Sequence, residues 1–107
     1  MNAAPVSAED VDLAVDLAVS LLRRAETDAW DYRAGALKWT CWETVEHIAD
    51  DLFAYAAQMG PRRPPLEGHV PFVCEPRRSG GPASTIFAER EAGPEGLIQV
   101  LEASAAL

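Results

Sequence analysis

The sequence predicts a mainly α fold: an incomplete up-and-down helical bundle of three helices, with a turn-rich segment and a short β-hairpin between the second and third. Three observations predict it. Two stretches, about 8–27 and 41–59, repeat apolar residues with a 3.6-residue period, and each opens on a capping-box pattern. Punctuation is uneven: only Pro5 and Gly35 precede Gly60, whereas the other 7 prolines and 6 glycines lie from Gly60 onward. Pro94 then stands at a helix's first position, with Leu97, Ile98, Leu101 and Ala105 spaced along one side behind it. At 107 residues, 49% hydrophobic and 24% charged, the chain suits a single folded domain and not a disordered one.

The first helix is announced by Ser7 and Asp10 as a capping box, with Val6 and Val11 at the flanking staple positions. Val11, Val15, Ala18, Leu22 and Ala25 form its apolar line, beside Ala14 and Leu21, and Glu9, Asp12, Asp16, Ser20 and Arg23 take the other side. Acids come early and Arg23–Arg24 late, which suits the helix dipole and carries the expected helix to residue 27. A connection rich in aromatics follows. Thr40 and Glu43 make the second capping box, and the helix from 41 runs to 59, where Gly60-Pro61 stops it. The prolines of 61–65 favour extended backbone. Val70–Cys74 and Thr85–Ala88 are β-prone, and Ser79-Gly-Gly-Pro82 between them can close a hairpin whose Pro71 confines it to an edge. The last helix, 94–107, has no stop signal: its end carries no Gly cap, no terminal Lys or Arg and no Pro. It ends in mid-pattern, as a fragment of a longer chain would.

Charge narrows the partners. The chain holds 17 acids against 9 bases, and 11 of those acids fall in residues 1–59 with only 4 bases. Nucleic acid and anionic membranes need clustered Lys and Arg, so neither is expected as a partner. The N-terminus lacks the basic region of a signal peptide, and no apolar run is long enough to span a bilayer. Two cysteines, Cys41 and Cys74, form no framework, which fits a reducing, cytoplasmic setting.

His47 is the side chain with most chemistry to offer. Glu43 precedes it by four residues, and Asp50 and Asp51 follow by three and four, so all share its helix face at about one turn, ~5.4 Å. Imidazole beside carboxylates is a donor set for a divalent metal such as Zn²⁺ or Ni²⁺. The plainer reading is a half-buried imidazole bonded to one of these acids. His69 lies in a loop and meets His47 only if tertiary folding brings it there. Cys41, in the first turn of the second helix, has a dipole favouring its thiolate but Glu43 opposing it, and a packed, inert thiol is expected. Cys74 is expected in the core. Trp30, Tyr32, Trp39 and Trp42 either line a pocket at the entry to the second helix or form a lid packed over the bundle end.

The stretch Leu37–Gln58 resembles the DinB-like superfamily, specifically the N-terminal metal-binding domain of mycothiol-dependent maleylpyruvate isomerases. The similarity rests on Trp39-Thr40 opening the helix, His47-Ile48 near its middle, and Asp50, Asp51 and Leu52 after it. An acidic first helix and the Asp28-Ala-Trp30 connection are also similar. The resemblance implies a four-helix bundle whose metal is held by three side chains, with His47 as first ligand. Asp50 or Asp51 would orient its ring, with Glu43 as a further auxiliary. It also implies a low-molecular-weight thiol such as mycothiol, activated on the metal to attack a small-molecule substrate in an isomerase or transferase reaction. The other two ligands of the family come from a later helix, yet no histidine follows His69. Weak metal affinity, little turnover and a truncated family member are therefore expected. The competing expectation is a non-catalytic helical module that forms a homodimer through its incomplete bundle. A redox protein using Cys41 is the third.

Overall fold

In the computed structural model, which describes residues 4–107, helix α1 spans Ala8–Leu22, α2 Cys41–Met59 and α3 Gly93–Ala105. Both capping boxes form. Ser7 Oγ accepts from the Asp10 amide at 3.2 Å while Asp10 Oδ2 accepts from the Ser7 amide at 2.9 Å. Thr40 Oγ1 and Glu43 Oε1 make the same exchange at 3.1 and 2.9 Å.

Helix α1 stops at Leu22, short of the expected residue 27. Arg24 and Ala25 bond back three residues instead of four, Glu26 turns extended, and a 3₁₀ turn at Thr27–Asp31 follows. The change of direction drives Trp30 into the core, edge-on to Trp42 at 6.3 Å between ring centroids. An isolated bridge between Arg33 and Thr40 folds the next segment back on itself around Gly35, whose φ of 58° needs glycine.

Helix α2 keeps its expected bounds, and α3 begins one residue before and ends two residues before its expected ones. The two pack most closely on each other, with Leu97, Ile98 and Leu101 of α3 against Trp42, Val45 and Ala49 of α2. Gly96 permits the turn into α3, because a Cβ there would sit 2.3 Å from that of Ala92. Helix α1 lies mainly on α3 and buries only Val19. Its outer end is tied by Arg23, which donates to Glu95 at 2.8 Å and reaches Glu102 at 3.4 Å. An apolar groove of about 470 Å³ stays open between α1 and α2, with Leu101 among its lining residues.

The hairpin exists but is smaller and displaced. Strands β1 (Glu75–Pro76) and β2 (Ala83–Ser84) pair antiparallel, Glu75 opposite Ser84 and Pro76 opposite Ala83. The expected strands 70–74 and 85–88 are not strands. Three of the amides in 85–88 are already engaged: Thr85 and Ile86 donate to Asp50 Oδ1 at 2.7 and 2.9 Å, and Ala88 to Glu46 Oε2 at 2.8 Å. A helix carboxylate has replaced the neighbouring strand. The 65–70 loop is held likewise by Gln58, which donates to the Pro65 and Gly68 carbonyls and accepts from the Val70 amide. No helix among the described residues is long and apolar enough to cross a membrane.

Candidate metal centre

Half of α2 faces inward with Trp42, Val45 and Ala49, and Glu46 and Asp50 are on that buried side. Burying a carboxylate is tolerated only with partners. Asp50 has the two amides of Thr85 and Ile86. Glu46 has the Ala88 amide, the Trp42 indole N–H at 3.3 Å and the Arg77 guanidinium at 3.8 Å. These bonds bring β2 and the following segment against the helix, and so put Ser84 beside His47.

The His47 ring stands at the helix edge. Its Nδ1 is 3.1 Å from Ser84 Oγ, and its Nε2 faces Asp51 Oδ1 at 3.7 Å. Trp39 packs edge-on to the ring with centroids 5.2 Å apart. With the proton on Nδ1, the imidazole donates to Ser84 and leaves the Nε2 lone pair toward Asp51 and the cleft. His47, Asp50 and Asp51 each offer a ligand atom, all within 4.8 Å of one another. A four-coordinate ion with bonds near 2.1 Å wants donors about 3.4 Å apart, so the set must contract. Asp51, half exposed on its own turn, is free to rotate inward, whereas Asp50 is fixed by its two amides.

Glu43 belongs to another site. It takes Arg78 in a two-pronged pair, Nε to Oε2 at 2.7 Å and a terminal nitrogen to Oε1 at 2.8 Å, while capping Thr40. The Arg78 bond holds its carboxyl at about 2, below the usual 4.5, despite partial desolvation. Its expected role as an auxiliary at His47 is therefore replaced by a structural one. Gly81 lets Arg78 approach, since a Cβ there would meet Arg78 Cγ at 3.1 Å and Glu43 Oε2 at 3.4 Å. Neither of the two aspartates orients the imidazole through Nδ1; Ser84 has that place.

A cleft of about 560 Å³ opens over the centre, with His47, Asp51, Gln58, His69, Cys74 and Thr85 among its walls. Folding does bring the His69 loop to the His47 side. Cys74 is exposed here and not in the core, because its segment carries no strand partner. Cys41 is half-buried and lines a small pocket together with Leu22, Ala29 and Trp30. Of the aromatics, Trp30 and Trp42 form a packed lid, Trp39 supports His47, and Tyr32 faces solvent.

Sequence reasoning passed over Glu46, Ser84 and Arg78. For Glu46 a signal was present: it follows Trp42 by four residues and precedes Ala49 by three, which puts it on the core side. Ser84 and Arg78 carried none, since their partners lie 37 and 35 residues away. In comparisons with known proteins, the chain matches no family model, no curated protein and no solved structure.

Proposed function

We propose that the chain is a DinB-like helical domain of the maleylpyruvate isomerase type, with a divalent-metal site at His47. The observation that carries this reading is the contact between Trp39 and His47. These residues anchor the two most specific parts of the resemblance, Trp-Thr and His-Ile, and they lie eight positions apart in sequence. Packing gives the spacing a purpose: the indole walls one side of the imidazole while Ser84 fixes its Nδ1.

The donors suit a borderline divalent ion such as Zn²⁺ or Ni²⁺, with one imidazole nitrogen and carboxylate oxygens. Such an ion supplies Lewis acidity that makes a bound low-molecular-weight thiol, mycothiol in the resembled enzymes, available as thiolate near neutral pH. His47 and Asp51 would hold it, Ser84 would keep the ring in its donating orientation, and Asp50 would brace the wall. The cleft has the size of small-molecule sites, and its open side admits a thiol and a small-molecule substrate. Only two donors would hold the ion and both come from one helix, so the affinity is weak and turnover low. Two free cysteines suit a reducing cytoplasm.

Calorimetric titration with Zn²⁺ and Ni²⁺ tests the site. Wild-type chain binds one ion, His47→Ala weakens binding about tenfold or more, and Asp51→Asn weakens it less. Glu43→Gln leaves it unchanged. Identical isotherms for wild type and His47→Ala would remove His47 as a ligand and end the proposal.

A further inference from the structure

Helix α1 carries a second apolar stripe on the side away from α3. Leu13, Leu17 and Leu21 follow one another at four-residue steps and remain 59%, 60% and 65% exposed. Asp10 stands one turn before Leu13, and Arg24 three residues after Leu21, in the turn that closes the helix. Arg24 has no ion-pair partner among the described residues. At Leu21 the stripe runs into the open groove toward Ile48 and Leu52 of α2.

We infer that this stripe is a self-association surface, its occupant α1 of a second copy laid antiparallel about a two-fold axis at Leu17. The register is self-complementary. Leu17 meets Leu17 of the second copy once, on the axis, while Leu13 meets Leu21 and Asp10 meets Arg24, each of these pairs occurring twice as an isologous interface requires. No other stagger of the stripe on itself centres the leucines and joins opposite charges at both ends. The surface area agrees. A folded monomer of 11.6 kDa exposes about 5,800 Å². Summed over the whole chain this protein exposes 7872 Å², an excess of about 2,000 Å², and an ordinary interface removes about 800 Å² from each partner. Its radius of gyration, 15.1 Å, likewise exceeds the roughly 13 Å of a compact chain this long. Opposed charges at the ends also answer the objection that two copies of an acidic chain repel, since each acidic helix start faces an Arg24. The surface is remote from His47 in its chemistry and does not depend on the metal reading.

Sedimentation across about 1–100 µM tests it, with helicity followed by circular dichroism. Wild-type chain shifts from monomer to dimer in that range. Leu17→Asp stays monomeric with helicity retained, since the site is exposed. Arg24→Glu, which sets acid against Asp10 at both ends, weakens the dimer about three- to tenfold. In a Cys41→Ser, Cys74→Ser background, Leu17→Cys forms a disulfide-linked dimer on mild oxidation, and Glu9→Cys, two turns from the two-fold axis and so far from its own copy, does not. A wild-type monomer throughout, a dimer untouched by Leu17→Asp, or equal crosslinking at the two cysteine positions overturns the inference.

Discussion

Glu43 shows how much one side chain can organise. It caps α2 and grips Arg78, and the same guanidinium also reaches the Lys38 and Ser79 carbonyls. Its pKa is lowered from 4.5 to about 2 chiefly by the Arg78 bond. A depressed folded pKa stabilises the fold above the unfolded value, and that stabilisation is lost as pH falls through the folded one. Thermal stability should therefore decline as acid is added between 4.5 and about 2, and Glu43→Gln should flatten that part of a melting-temperature profile. The sequence showed the cap, because Thr40 and Glu43 are three residues apart, but not Arg78, which comes from the hairpin turn 35 residues further on. His47 divides in the same way. Its helix neighbours were legible from spacing alone, while Ser84 depends on the path of a distant strand.

At the scale of elements, α2 is the framework on which the second half of the chain is arranged. The three helices could be read because capping boxes and a proline mark their starts and periodicity marks their length. The end of α1 could not: the apolar period continues to Ala25, but burying Trp30 bends the chain before it. The strands were misplaced for a related reason. Val, Thr, Ile and Phe in 70–74 and 85–88 favour extended backbone, yet propensity does not say what accepts the amides. Here Asp50 and Glu46 accept them. Removing Asp50 leaves two amides without their acceptor, so Asp50→Ala should cost about 1–3 kcal/mol in urea unfolding. Hydrogen exchange should show the loss of protection concentrated at Thr85 and Ile86, with α3 unaffected until global unfolding.

Across the whole molecule, the apolar core lies along the seam of α2 and α3, closed at one end by Trp30 and Trp42. Leu97 and Ile98 are its largest fully buried side chains. Leu97→Ala should cost about 2–5 kcal/mol in chemical denaturation, the range for emptying a packed leucine site. Helix α1 holds less of the core, and this was hard to foresee. Its period was read with one apolar line and a polar opposite side, but Leu13 and Leu17 fall among the acids and make the helix apolar over more than one face. A one-sided reading assumes one partner. The three-dimensional fold gives α1 a neighbour on one flank and leaves the other bare.

The bonds from α2 to residues 84–88 also set an order of events. Glu46 and Asp50 are four residues apart and point the same way only once the helix is wound. Before that, the Thr85, Ile86 and Ala88 amides have no paired acceptors to find, and bringing them there closes loops of 35 to 42 residues. The second half must therefore wait for a template that the first half supplies. A ribosome, which makes α2 before the segment that docks on it, delivers the parts in the order the chemistry needs.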